Sequence, residues 1–84
     1  MPDTPSLTVL LFARYAELFG AAELRLALPQ PATVAGVVEA LRILPGGAAL
    51  PLNPLVAVNA RQARSDQPVS AGDELALLPP MAGG

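Results

Sequence analysis

Between Thr33 and Pro45 runs the one substantial helical stripe in the chain, and it limits the fold more than any other feature. Val34, Val37, Val38, Leu41 and Leu44 recur at i, i+3, i+4, i+7 and i+10, while Glu39 and Arg42 face away. Thr33 is placed to cap the N-terminus of a helix over 34–44, and Pro45-Gly46-Gly47 ends it. A single amphipathic helix of this length covers one face of a sheet. The remainder of the chain must supply that sheet.

It does so in short pieces. Leu7 to Ala13 reads as a first strand that is apolar on both parities, with Leu7, Val9, Leu11 and Ala13 on one face and Leu10 and Phe12 on the other. Arg14 to Phe19 reads as a short helical turn stopped by Gly20. Glu23 to Leu28 alternates Leu24, Leu26 and Leu28 against Glu23, Arg25 and Ala27, the pattern of a half-exposed strand that pairs with the first and is ended by Pro29 and Pro31. After the helix, a proline-rich loop reaches Pro54. Leu55 to Val58 is a third strand, Asn59-Ala60 a tight turn, and Arg61 to Arg64 a short partner strand. Ser70-Ala71-Gly72-Asp73 turns the chain into a last strand, Glu74 to Leu78. The order of elements predicts an α+β domain: a mixed sheet of four to five strands packed on one main helix, whose compact version is the β-grasp of ubiquitin. Residues 1–84 are expected to form one domain, with 1–6 a flexible N-terminus and 79–84 an extended C-terminal tail. There is no internal repeat, and 52% hydrophobic content is ample for one small core.

Composition removes whole classes of function. The chain has no His, Cys, Trp or Lys, so the usual nucleophiles, general bases and soft metal ligands are mostly absent, leaving hydroxyls and carboxylates with no His or Lys to activate them. Its seven acids, Asp3, Glu17, Glu23, Glu39, Asp66, Asp73 and Glu74, are scattered. Only Asp73 and Glu74 are adjacent, and neighbours on a strand point to opposite faces, which makes them a poor acid/base pair. No metal site is expected. A net charge of −2 gives no basic footprint for nucleic acid or an anionic membrane. Without cysteine no disulfide frames the fold. The N-terminus lacks a positive segment before its apolar run, so the cytoplasm is the expected location. Gly46-Gly47 does not make a phosphate loop, because it follows a helix instead of opening one and no Lys accompanies it.

The group left for chemistry is the α-carboxylate. The chain ends Leu78-Pro79-Pro80-Met81-Ala82-Gly83-Gly84. Gly83 and Gly84 have no Cβ, so this backbone can thread a slot too narrow for side chains. Pro79 and Pro80 fix φ and remove two donors, which stiffens the arm and stops the strand. Residues 79–84 can then span up to roughly 20 Å. Pro80, Met81, Ala82 and Gly83 are the expected threading residues, and Gly84 the reacting one. By strand parity, Phe12 goes with Leu10 and Leu78 with Ala76. If these two strands are neighbours, Phe12 and Leu78 form an apolar patch on the sheet face the helix leaves uncovered, at the root of the tail. In the competing arrangement, the loop from Pro45 to Pro54 folds over them as a second small core.

Two stretches carry a family resemblance. Val9-Leu10-Leu11-Phe12-Ala13-Arg14-Tyr15-Ala16-Glu17-Leu18-Phe19-Gly20 resembles the opening of the small, sulfur-carrying subunit of molybdopterin synthase. Val56-Ala57-Val58-Asn59, with Ser70 through Gly84, resembles its close, and the Thr33 to Leu41 helix fits as well. The chain departs from the common pattern at Ala16, where Arg is usual, and near Gln62, where an apolar residue is usual.

The resemblance implies a non-catalytic sulfur-donor subunit that works in a cycle on Gly84. An α-carboxylate is an anion at neutral pH and resists nucleophilic attack, so it needs a leaving group. An adenylyltransferase resembling the ubiquitin activators would supply one using ATP and Mg²⁺, and a sulfur donor would displace AMP to leave a C-terminal thiocarboxylate. The carrier itself would hold no cofactor stably. Its tail would then enter the large synthase subunit, which provides the acid/base groups, and would donate sulfur to cyclic pyranopterin monophosphate. The implied assembly is a heterotetramer of two small and two large subunits. Two other uses fit the same tail: sulfur donation to the thiamine thiazole or to tRNA, and conjugation to proteins as a ubiquitin-like modifier.

Overall fold

The computed structural model describes residues 4–79. Its elements are β1 (Ser6–Leu11), α1 (Arg14–Phe19), β2 (Glu23–Ala27), α2 (Val34–Arg42), a 3-10 turn (Gly47–Ala49), β3 (Leu55–Val58), β4 (Arg61–Ala63) and β5 (Glu74–Leu78). They form one five-stranded sheet in the order β2-β1-β5-β3-β4. β1 and β5 run parallel at its centre, and the other neighbours are antiparallel. This is the mixed sheet on one main helix that defines the β-grasp.

Register assigns each residue a face. Val9 pairs with Leu75 and Leu11 with Leu77 across β1 and β5, while Leu75 and Leu77 pair with Val58 and Val56 across β5 and β3. All six are at most 5% exposed, packed with Leu7 under Val34, Val37, Val38 and Leu41 of α2. Tyr15 from α1, Leu50 and Val69 close the ends of this core. The helical stripe is thus the lid of the sheet, as its spacing predicts.

Local chemistry explains the boundaries. Thr33 accepts the Gly36 N–H on its Oγ1 at 3.1 Å, capping α2. The helix ends at Arg42, two residues before the expected Leu44, because Pro45 cannot donate to the ladder and disfavours helical backbone in the residue before it. Leu44 stays half-buried against the core through a tighter turn, its N–H bonding to the Leu41 carbonyl at 3.0 Å. Gly20 stops α1 in the left-handed conformation, φ 72°. Asn59 and Ala60, both at positive φ, make the two-residue turn between β3 and β4.

β2 and β4 each end one residue earlier than expected, at Ala27 and Ala63, and three further expectations need correction. β1 stops at Leu11 instead of Ala13: the chain turns at Phe12, whose carbonyl accepts the Tyr15 N–H at 3.0 Å, with Ala13 at φ 49°. Pro5 and Ser6, expected in a flexible N-terminus, are held by the sheet, Ser6 in β1 and the Pro5 carbonyl accepting the Leu28 N–H at 2.9 Å. The segment from Pro45 to Pro54 is no open loop. Gly47 sits so close under α2 that a Cβ there would overlap the Leu41 carbonyl, and the 3-10 turn it opens drops Leu50 into the main core. Arg42 fastens this return by donating to the Leu50 and Pro51 carbonyls at 2.8 and 2.9 Å.

Candidate functional site

The site is built on the back of the sheet, where none of the described helices packs. Side chains there follow the opposite parity from the core: Thr8 and Leu10 in β1, Glu74, Ala76 and Leu78 in β5, Leu55 and Ala57 in β3, and Gln62 in β4. Leu10, Ala76, Ala57 and Gln62 lie in one row across four strands. Leu78 and Leu55 form the next row, one step nearer the end of β5. Leu10, Ala76, Ala57 and Leu78 are half-buried, and Leu55 is 38% exposed.

Phe12 is 45% exposed. It comes out by a different route from the one strand parity suggests, since it lies past the end of β1 in the turn before α1. The Leu11–Leu77 pairing still puts it level with Leu78. The competing arrangement, in which Pro45 to Pro54 buries these residues, is not the one found: Leu50 packs on the opposite side of the sheet, and Phe12 is open. Sequence parity alone found Leu10, Ala76 and Leu78. It missed Leu55 and Ala57, whose membership depends on the β3–β5 register.

β5 is the element that aims the site. It is the central strand, held on both sides by β1 and β3, and Leu78 and half-buried Pro79 carry the chain off its end. The turn entering it is tied by side chains. Asp73 accepts the Ser70 N–H at 2.8 Å and the Asn59 amide at 3.1 Å, and Asn59 in turn accepts the Glu74 N–H at 3.0 Å. The one adjacent acid pair therefore has a structural task. Pro80, Met81, Ala82, Gly83 and Gly84 lie outside the described residues.

Among the described residues, no three acidic side chains come together as a metal site. The larger clefts are shallow and open, and the most enclosed, about 200 Å³, lies between the start of α2 and β3–β4, lined by Val34, Val38, Val56 and Ala63 together with Glu39 and Ser65. It is on the helix side, away from Leu78. The geometry offers an apolar platform beside the end of β5.

A family pattern covering nearly the whole chain decides what this platform belongs to: residues 9–84 match the ThiS family. The chain is a member of that family of ubiquitin-like sulfur carriers. Among solved structures it is similar to the small archaeal modifier SAMP1 from Haloferax volcanii, with 32% identity over 94% of this chain and 99% of the other and a TM-score of 0.78. A candidate molybdopterin converting factor subunit 1 from Pyrococcus furiosus shares the fold at 24% identity, covering 90% of this chain and 98% of that one, TM-score 0.76. So does a chain of the complex of subunits 1 and 2 of the molybdopterin-converting factor from Helicobacter pylori, at 19% identity over 94% and 99% and a TM-score of 0.68. Sequence comparison with curated proteins gives no match.

Proposed function

We propose that this ThiS-family chain is the sulfur-carrying small subunit of a molybdopterin synthase in the cytoplasm, with Gly84 as its reacting residue. The observation that carries the reading is the continuity of the apolar back face with the end of β5: Leu55 and Leu78 sit where the chain leaves the sheet toward Gly83-Gly84. A partner that grips this face receives the tail directly. The opening motif around Phe12-Ala13-Arg14 and the Pro-Pro before the terminal glycines favour molybdopterin over the thiazole and tRNA uses, and the shared fold of the Helicobacter pylori factor supports a large-subunit partner.

In this reading an adenylyltransferase binds the patch and transfers AMP from ATP to the Gly84 carboxylate, releasing pyrophosphate. A sulfur donor then displaces AMP, leaving the thiocarboxylate. The large subunit binds the same patch next, so the two partners compete for it. Within the large subunit the thiocarboxylate sulfur passes to cyclic pyranopterin monophosphate, and Gly84 returns as a carboxylate. This chain contributes position and reach, while the acid/base groups belong to the large subunit, two copies of each forming the working assembly.

A second reading, a protein modifier joined through Gly84, is favoured by the 32% identity to SAMP1. One reconstitution separates them. The thiocarboxylated chain, combined with the large subunit from its own host and cyclic pyranopterin monophosphate, is expected to yield the dithiolene product. Failure of that conversion, together with Gly84 adducts on other proteins in the native host, would replace the first reading by the second.

A further inference from the structure

The sheet has an open edge that the sulfur-carrier reading leaves unused. Among the described residues, β2 pairs with β1 on one side only. In antiparallel pairing, hydrogen-bonded and non-bonded residue pairs alternate. Leu28 donates to Pro5 and Leu11 to Ala22, so Leu24 and Leu26 direct their backbone groups inward to β1. Glu23, Arg25 and Ala27 therefore present N–H and C=O outward along the free edge. Such an edge is a template for another strand.

We propose that this edge pairs with the β2 edge of a second copy of the chain, antiparallel about a two-fold axis through Leu24. Register and charge select that axis. Centred on Leu24, Glu23 lies opposite Arg25 of the second copy and Arg25 opposite its Glu23, and both pairs join residues whose backbone groups point outward. Each pair then exchanges both backbone hydrogen bonds. Centring on Arg25 would set Arg25 against itself, and centring on Leu26 would set Glu23 against Pro29, which has no N–H to give. Axes between residues fail because they pair an outward residue with an inward one.

The side chains agree with the backbone. Glu23 and Arg25 are exposed on the back face, opposite Leu10 and Thr8 respectively, and neither joins an ion pair among the described residues. Arg25 uses its Nε toward Ser6 Oγ at 3.3 Å, leaving the terminal nitrogens to meet a carboxylate. On the helix side the same axis brings half-buried Leu24 against its own copy and Leu26 against Ala22. Charge is thus matched on one face and apolar surface on the other, as an isologous interface requires. β1 separates this edge from β5, so the association leaves the strand that carries the tail in place. The contact is short, and it belongs with weak, concentration-dependent assemblies.

Charge reversal tests it on the full chain by sedimentation equilibrium, with backbone amide shifts followed as concentration rises. Wild type is expected to self-associate with shifts confined to Ala22–Ala27. Glu23→Arg or Arg25→Glu alone sets like charges opposite each other twice and should weaken association roughly tenfold or more. Mixing the two variants makes both cross-strand pairs complementary again, so the mixture should associate where neither variant does alone. A wild-type chain that stays monomeric at millimolar concentration overturns the proposal. So does a mixture no tighter than its components, or association whose shifts fall on Phe12, Leu55 and Leu78 while β2 is unmoved.

Discussion

Leu77 and Leu78 are neighbours in one strand and live in different environments. Leu77 has no exposed surface, clamped between Leu11 and Val56 beneath α2, whereas Leu78 is half-buried beside Leu55 on the back of the sheet. The same contrast repeats along β1, where Val9 is sealed and Leu10 is half-open. One face holds the buried core, and the other carries a half-open apolar row. A chain with a single substantial helix cannot cover both faces, and in the proposed reading the second receives the partners.

The contrast breaks first under truncation. Leu77→Ala should cost about 3 kcal/mol, removing buried methyl groups and leaving a cavity, and should lower the melting temperature by roughly 10–20 °C. Leu78→Ala should cost less than half as much. Equal losses in thermal unfolding would mean that the back face is structural too.

Charge at the back face sharpens the contrast from the other side. Phe12→Glu and Leu78→Glu should leave the isolated domain folded and weaken binding to both the activating enzyme and the large synthase subunit by at least about tenfold, since a charge buried against an apolar partner goes uncompensated. Calorimetry with each partner, beside circular dichroism of the free chain, reads this directly. Unchanged affinity for both partners removes that residue from the interface.

The smallest expected effect lies on the helix side. Tyr15 is 3% exposed, and its hydroxyl has no hydrogen-bond partner among the described residues. Removing a buried polar atom that bonds nothing costs nothing, so Tyr15→Phe should be neutral or raise stability by up to about 1 kcal/mol. A clear loss in denaturant unfolding would show that the hydroxyl is bonded after all, with a buried water as its partner.

Much of this arrangement is legible in the residues, because short segments with strong local signals fix it. The α2 stripe, the Thr33 cap, the Gly20 stop and the bounds of α1, β3 and β5 follow from spacing and capping chemistry alone. What was not legible depends on distant chain coming together. Leu50 looks like loop until Gly47 brings the backbone under Leu41 and Arg42 fastens the return. Tyr15 belongs to a six-residue helix too short to show a stripe. The turn at Ala13 places a non-glycine residue at positive φ, which strand parity does not foresee, and so Phe12 reaches the surface by a bend. Leu55 and Ala57 join the patch only through the β3–β5 register. Of the patch, Leu10, Ala76 and Leu78 were readable from strand parity.

The central claim is that this domain exists to present one carboxylate, and the intact mass of the chain tests it most directly. The chain is incubated with its activating enzyme, ATP, Mg²⁺ and a sulfur source, alongside a variant lacking Gly84. The account predicts that the full chain gains the mass difference of one sulfur replacing one oxygen, located at Gly84 by fragmentation, and that the variant, still folded, gains nothing. A full chain that binds its activating enzyme yet never acquires sulfur at Gly84, or a shortened chain that acquires it equally well, would contradict the account.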